Sequence, residues 1–169
     1  NDLIKIYGSD ALRYYLLAKI SPFSDGDFSE EKFKQTYNAD LANGLGNLVA
    51  RVATLAEQSE MTFEETKNVE DIWKEAWADR LATYDFNIAL QSIWLDISIV
   101  DQHINQEKPW LEKENKTRLK TLLQKDIDDI RKIALRLQPF LPETSKKIIE
   151  QFKGSKIKKS QEWLFPRKN

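Results

Sequence analysis

The chain has 169 residues, with 26 lysines and arginines against 27 aspartates and glutamates, one histidine and no cysteine. This length predicts one domain, or a small unit attached to one main domain, whose core is large enough to fold without a metal or a disulfide. The lack of cysteine excludes disulfides, thiolate nucleophiles, iron–sulfur clusters and cysteine-ligated zinc, and a single imidazole excludes histidine-rich metal sites. The net charge of −1 predicts no overall attraction to nucleic acid or to a membrane.

The sequence also lacks the common patterns of membrane insertion and of catalysis. No run of 18 apolar residues is present, so we expect no transmembrane helix. Residues 1–5 include no initiator methionine and no signal-peptide arrangement, and we expect a longer chain to continue upstream. Because no Gly-rich phosphate loop, Gly-x-Ser-x-Gly elbow or His-Glu-x-x-His pattern occurs, the chain holds little that predicts catalysis.

The first predicted element is a short apolar helix over 11–18, with Ser9 as its expected N-cap. A loop is predicted around Pro22 and 24–27. Ser29, which precedes two glutamates, then predicts the start of a longer helix, since acidic residues are favourable at a helix N-terminus.

This second helix is predicted to run over 29–57, because apolar residues recur there every three or four positions. They are Phe33, Tyr37, Leu41, Leu45, Leu48, Val52 and Leu55. Gly44 and Gly46 lie inside the same helix and cost about 1–2 kcal/mol relative to alanine. We therefore expect either a local bend or the close approach of another helix at these glycines.

The rest of the chain predicts a connection over 59–70 and further helices after it. Those helices are predicted at about 70–83, 85–107, 115–138 and 142–152. No convincing pair of alternating strands occurs. The predicted fold class is therefore all-α, a bundle of four to five long helices preceded by a short helical unit.

Two features are compatible with recognition of a polynucleotide. Asn43, Asn47 and Arg51 recur at four-residue spacing and form a polar ridge on the 29–57 helix. Trp110 follows Pro109 just after a helix end, where a tryptophan is more exposed than at a stripe position. Amide and guanidinium groups can hydrogen-bond base edges, and an aromatic ring can stack on an unpaired base. An ordinary solvated helix edge, and a hydrophobic cap on the bundle, fit the same residues and stay open as alternatives.

The other polar and aromatic candidates favour structural roles. We interpret the carboxylates of Asp126, Asp128 and Asp129 as a solvated helix face, and His103 as a structural imidazole. Three tryptophans are predicted to lie in the core, and they are Trp73, Trp77 and Trp94. Trp163 is predicted to fix the C-terminus to the bundle. The segment 153–169 has a net charge of +5, against −6 for the rest of the chain.

The N-terminal half resembles a known enzyme class. Residues 7–17, Tyr-Gly-Ser-Asp-Ala-Leu-Arg-Tyr-Tyr-Leu-Leu, resemble the segment after the KMSKS signature of class I aminoacyl-tRNA synthetases, including those for leucine, isoleucine and valine. Residues 25–29 and 37–48, with Phe33 and Arg51, are more specific. They resemble the start of the anticodon-binding domain of the methionyl-tRNA synthetase family.

The C-terminal half continues this resemblance in the same order. The segment 108–110, Lys-Pro-Trp, resembles the Pro-Trp turn of the family, and 139–142 resembles its later helix break. Residues 164–167 resemble its usual ending. The resemblance thus covers nearly the whole chain and is strongest over 7–51.

The resemblance implies an α-helical domain that binds the methionine anticodon CAU. Residues 1–28 would end the stem-contact region that follows the catalytic domain, and 29–169 would form the anticodon-binding bundle with its basic tail. In the full-length methionine–tRNA ligase, a cytoplasmic enzyme of protein synthesis, an upstream catalytic domain uses ATP and Mg²⁺. The implied partners are methionine tRNA and that catalytic domain, with no membrane, and the present chain alone is expected to be inactive and to need no cofactor.

The family pattern also implies individual roles. Asn47 and Arg51 correspond to the pair that recognises the first anticodon base, and Trp110 to the residue that stacks on anticodon bases. Supporting roles are assigned to three further residues, and they are Asn43, Pro109 and His103.

The chain departs from the family at two positions and over 59–84, a segment that matches the family poorly. Asp101 and His103 stand where the family usually has an Asn and an aromatic residue, and a carboxylate at Asp101 would repel phosphate. Two alternative functions remain open. One is the anticodon domain of a leucine, isoleucine or valine enzyme, and the other is a helical protein-interaction module that uses the tryptophans assigned to the core.

Overall fold

A computed structural model describes residues 2–20, 28–65 and 76–168. All regular elements within these ranges are helical, which confirms the all-α prediction. The α-helices are α1 (Asp2–Tyr7), α2 (Ser9–Lys19), α3 (Glu30–Thr36), α4 (Asn47–Ser59), α5 (Ala76–Ala82), α6 (Phe86–Glu107), α7 (Lys116–Leu137) and α8 (Pro142–Gln151). A π-helical segment, Tyr37–Gly46, joins α3 to α4, and a single 3₁₀ turn, Pro109–Leu111, follows α6.

The helix starts follow local capping chemistry. Ser29 caps α3 as predicted, since its side-chain oxygen accepts a hydrogen bond from the Lys32 N–H at 3.1 Å. Asn115 caps α7 in the same way, with the Arg118 N–H as donor at 3.1 Å. The prediction of Ser9 as a cap was wrong by one residue, because Ser9 is already helical and Gly8 precedes it with φ of 86°. Glycine suits that position because its lack of a Cβ permits positive φ.

The core is formed by the apolar stripes that the sequence predicts on α6 and α7, which pack against each other and against α4 and α8. The buried stripe residues of these two helices are Leu90, Ile93, Ile97, Val100, Ile104, Leu119, Leu123, Ile127, Ile130, Ile133 and Leu137. Trp73 lies outside the described residues, and so does the side chain of Trp77. Trp94 is half-buried at the edge of the core, where its ring stacks on Tyr14 with centroids 4.3 Å apart.

Helix α2 packs into the same core and bridges the turn between α7 and α8. The Arg13 Nε donates a hydrogen bond to the Phe140 carbonyl at 2.8 Å, at the end of α7. The buried Asp10 carboxylate accepts one from the Thr144 N–H at 2.7 Å, in the first turn of α8. Each charge complements the helix end that it contacts, because N–H groups are unpaired at the start of a helix and carbonyls at its end.

The helix predicted over 29–57 is continuous, but its middle is π-helical. The Asn47 N–H donates to the Ala42 carbonyl, five residues earlier, which is the wider hydrogen-bonding pattern of a π-helix. Within this segment Tyr37, Leu41 and Leu45 are buried. The geometry of this segment explains why a glycine occupies position 46. A Cβ on Gly46 would lie 3.0 Å from the Leu41 carbonyl oxygen and 3.7 Å from Phe165. A local distortion is therefore present, but the neighbour at Gly46 is Phe165 of the C-terminal segment and not another helix.

Replacing Gly46 with alanine is expected to lower the free energy of unfolding by about 1–2 kcal/mol, because the added methyl group would lie 3.0 Å from the Leu41 carbonyl oxygen, a backbone atom. Helix propensity alone predicts the opposite sign, a gain of about 1 kcal/mol. Gly44→Ala is the matched control, since its Cβ would have its nearest neighbour at 3.4 Å. Denaturant unfolding of both variants tests this, and equal stabilisation by the two substitutions would contradict it.

The C-terminal segment packs back onto the bundle. Phe165 is buried against Tyr37, and the Tyr37 hydroxyl donates a hydrogen bond to the Pro166 carbonyl at 2.9 Å. Burial, followed by the nearby Tyr7, raises the pKa of Tyr37 to about 12. The prediction that Trp163 fixes this segment was wrong, because its side chain is 68% exposed and Phe165 fills the space over Gly46 instead.

Candidate nucleic-acid interface

The predicted residues Arg51 and Trp110 meet on one surface, where α4, α6 and the 3₁₀ turn come together. The Arg51 guanidinium carbon lies 5.2 Å from the centroid of the Trp110 ring. On its other side, the guanidinium donates to Asp101 Oδ1 at 3.2 Å and to Asn105 Oδ1 at 2.8 Å, and both acceptors lie on α6. We call these four residues the Arg51 cluster.

Hydrogen bonding within the Arg51 cluster uses only some of the N–H donors of the guanidinium. An arginine carries five N–H donors, and Asp101 and Asn105 occupy one each. The guanidinium plane is thus fixed, and among the described residues its other three donors have no hydrogen-bond partner, in a side chain that is 27% exposed. The Asp101 carboxylate, in contrast, has both oxygens occupied, since the Asn105 amide donates to Oδ2 at 2.9 Å. Its charge is therefore compensated by Arg51, which reduces the phosphate repulsion that the sequence led us to expect.

Trp110 is held by a sharp change of chain direction after α6. Lys108 ends α6 in the left-handed conformation, with φ of 47°, and Pro109 then opens the 3₁₀ turn. Pro109 is buried, whereas Trp110 is 38% exposed. Because Pro109 is buried and its φ is restricted, the Trp110 ring is held at the surface beside Arg51.

The predicted polar ridge is only partly regular. Asn47 is exposed, one turn before Arg51 at the start of α4, so the two project from the same face. Asn43 belongs to the π-helical segment and accepts a hydrogen bond from the Arg167 Nε at 2.7 Å. The structure thus places Asn47 with the Arg51 cluster and Asn43 with the C-terminal segment.

His103, to which the sequence analysis assigned a supporting role, contacts α7 through its ring and keeps 20% of its side chain exposed. Its Nδ1 lies 2.7 Å from Oδ1 of Asp126 on α7, and the Asp126 carboxylate is fully buried. Burial raises the pKa of Asp126 to about 6, and the His103 ring opposes part of that rise. The interpretation of Asp126 as part of a solvated face was therefore wrong, because α7 turns this residue of the aspartate cluster toward α6.

Sequence reasoning missed Asn105, although a signal for it exists. Asn105 lies four residues after Asp101 on α6, so both side chains project from one face. Only the packing of α4 against α6 brings that face to Arg51.

Other kinds of site find no support in the part of the chain that the structure describes. No three His, Cys, Asp or Glu side chains in it are grouped as a metal site requires. None of the helices in those ranges is both long enough and apolar enough to cross a membrane.

Comparison with known proteins identifies the family. The model of the family described as tRNA synthetases class I (M) matches residues 1–53. The chain is 32% identical over 161 residues to the methionine–tRNA ligase of Thermotoga maritima, which covers 88% of the chain and 26% of the relative. It is 36% identical over 163 residues to that of Clostridium acetobutylicum, with 88% and 25% covered. The chain thus spans about a quarter of the length of these relatives.

Comparison with solved structures also finds a methionyl-tRNA synthetase with a similar fold. The apo form of Mycobacterium tuberculosis methionyl-tRNA synthetase superposes with a TM-score of 0.84 at 22% identity, over 99% of this chain and 40% of that one. Helical fold, sequence relatives and family model agree, and the chain belongs to the methionyl-tRNA synthetase family.

Proposed function

We propose that this chain binds the anticodon loop of methionine tRNA and recognises its CAU anticodon. The observation that carries the proposal is the Arg51 cluster, in which a fixed guanidinium with three remaining donors lies beside the exposed ring of Trp110. Asn47 adds an exposed amide one turn away. These are the side-chain types that recognise unstacked bases, through hydrogen bonds to base edges and through stacking.

The proposed division of labour follows from the chemistry of the three side chains. Trp110 supplies stacking, which is worth about 1–3 kcal/mol per base and is tolerant of base identity. Arg51 and Asn47 supply discrimination, because a base that leaves buried donors unpaired loses their hydrogen bonds. Pro109 positions the tryptophan, and Asp101 with Asn105 positions the guanidinium.

The wider role is that of one part of a methionine–tRNA ligase. We place the ATP and Mg²⁺ sites in an upstream catalytic domain, since the chain spans only 26% of the length of a methionine–tRNA ligase relative. In this proposal residues 1–28 join the catalytic domain to the anticodon-binding bundle, and the bundle holds the tRNA in the cytoplasm while its acceptor end is charged with methionine.

Competition binding with the 169-residue chain tests the proposed function. A labelled hairpin with a CAU loop is displaced by unlabelled hairpins whose loops are CAU, GAU or CAC, so that each competitor changes one base. The CAU hairpin is expected to compete about tenfold better than either variant, since one mismatched base in a specific site costs about 1–3 kcal/mol. Equal competition by the three hairpins would overturn the proposal.

A further inference from the structure

A second surface of the molecule is an open groove of about 980 Å³ between α4, α8 and the C-terminal segment. Five lysines line it, and they are Lys147, Lys153, Lys156, Lys158 and Lys159. Two carboxylates, Glu150 and Glu162, also line it. We call this surface the lysine groove, and its lining has an excess of three positive charges.

The lysines are little neutralised by neighbours. Among the described residues, the ion pair of the groove is Lys153 with Glu150, at 4.0 Å, and both side chains are at least 70% exposed. An ion pair that long and that exposed contributes little. Lys156, Lys158 and Lys159 therefore present their charge to solvent, in a concave surface that concentrates positive potential.

The backbone that carries these lysines is fixed. Ile157 is buried between them, and the Lys158 carbonyl accepts a hydrogen bond from the Gln151 amide at 3.1 Å. Just before them, the Ser155 carbonyl accepts one from the Phe63 N–H at 2.8 Å. The backbone of the segment is therefore ordered before binding, and a ligand does not lose free energy to ordering it.

An aromatic ring lies in the same groove. Trp163 lines it and is 68% exposed, although sequence reasoning placed this residue against the bundle. Lysines that follow a phosphate backbone, combined with an exposed aromatic ring that stacks on a base, are characteristic of surfaces that bind single-stranded or looped nucleic acid.

The lysine groove is continuous with the Arg51 cluster along α4. Ala50 and Thr54 form part of its wall. At 3.6 residues per turn, their side chains project about 60° and 20° to one side of Asn47, while Arg51 projects about 40° to the other side. Asn47 thus lies on the surface of α4 between Arg51 and the groove-lining residues Ala50 and Thr54.

We propose that the lysine groove binds the ribose-phosphate backbone of the same RNA whose anticodon bases contact the Arg51 cluster, with Trp163 stacking on an unpaired base. The proposal rests on the proposed function and extends the RNA-binding surface from one edge of α4 to the other. Continuity with base-contacting residues favours RNA over other polyanions, because the same molecule then occupies both surfaces. The groove supplies affinity without base preference, since phosphate contacts carry no sequence information.

A charge-matched pair of triple variants tests the groove. Lys156→Ala/Lys158→Ala/Lys159→Ala removes three groove lysines, and Lys5→Ala/Lys125→Ala/Lys146→Ala removes three exposed lysines that lie outside it. The groove variant is expected to bind the CAU hairpin about tenfold more weakly, and its slope of log affinity against log salt is expected to fall by about 2. The ratio of CAU to GAU affinity should stay unchanged, as should both measurements for the control variant.

The contradicting results separate the two proposals. Equal effects of the two triple variants, or no effect of the groove variant while CAU preference persists, would overturn the groove assignment alone. A wild-type chain that binds the hairpins without preference would overturn the proposed function, whereas a loss of salt dependence in the groove variant would still support the groove. If the groove variant loses binding only to vesicles of phosphatidylserine, the ligand is a membrane surface and the assignment is wrong.

Trp163→Ala gives a second readout that does not depend on net charge. It is expected to lower hairpin affinity about fivefold with an unchanged salt slope, because stacking releases no counterions. Since the ring is exposed, the variant should unfold at the wild-type temperature. If this variant binds the hairpin with wild-type affinity, Trp163 takes no part in RNA binding.

Discussion

Arg51→Ala is expected to weaken binding of a CAU hairpin by about ten- to a hundredfold, and to reduce the preference for CAU over GAU. The substitution removes the guanidinium donors, and the loss of one hydrogen bond from a charged donor to a base edge, about 1.5–3 kcal/mol, accounts for an effect of this size. It also removes the cation from the Trp110 ring. Fluorescence anisotropy with labelled hairpins measures both the affinity and the preference.

Arg51→Lys is the informative control, because it keeps the charge and loses the planar fork. A lysine cannot donate from a fixed plane to Asp101, Asn105 and a base edge at the same time, so the CAU preference should fall nearly as far as in the alanine variant. Trp110→Ala should weaken all hairpins alike, as expected for stacking. Arg51 would have no part in recognition if both of its variants kept the wild-type preference and affinity, with thermal unfolding confirming that they are folded.

Arg131→Ala is expected to lower the free energy of unfolding by about 3–5 kcal/mol, the largest stability effect that we expect from a polar side chain. The guanidinium is 8% exposed, and it donates to the carbonyls of Phe152, Glu64 and Gly154. It thereby joins α7 to the connection after α4 and to the start of the C-terminal segment. Removing a buried charged partner leaves acceptors unsatisfied, which accounts for the size of the loss.

Two controls locate the effect of Arg131. Arg131→Met keeps most of the side-chain volume, so a comparable loss in this variant assigns the effect to the hydrogen bonds rather than to packing. Arg118→Ala removes an exposed arginine that pairs with Glu107 and Glu112, and is expected to change stability by less than about 1 kcal/mol. Hydrogen exchange at the Phe63 amide, which bonds Ser155, should accelerate in Arg131→Ala. Wild-type stability or exchange in that variant would contradict the assigned role.

The sequence predicted the long helices well because their apolar residues follow the helical period. The stripes of α6 and α7 are buried as predicted, and Asn115 and Ser29 cap their helices within a residue of the expected start. Sequence spacing could not reveal the π-helical segment, because a change from four- to five-residue hydrogen bonding leaves the apolar pattern nearly intact. The glycines were the only local signal of it.

The candidate site was predicted in part. Arg51 and Trp110 are close as the resemblance implied, whereas Asp101 and Asn105 became partners of Arg51 only through the packing of α6 on α4. The burial of Asp126 could not be predicted either, since its neighbours in sequence are charged and its burial depends on which side of α7 faces His103.

The sequence by itself determined that the protein is helical, that it lacks thiol and histidine-cluster chemistry, and which side chains are candidates for base recognition. Those properties depend on residue type and on spacing within one helix, which local physics controls. The tertiary structure decided which side chains meet: the guanidinium fixed between α6 and Trp110, the buried Asp126–His103 pair, and the lysine groove beside α4. A balanced net charge hid that groove, because the +5 of residues 153–169 and the −6 of the rest of the chain nearly cancel in the sum.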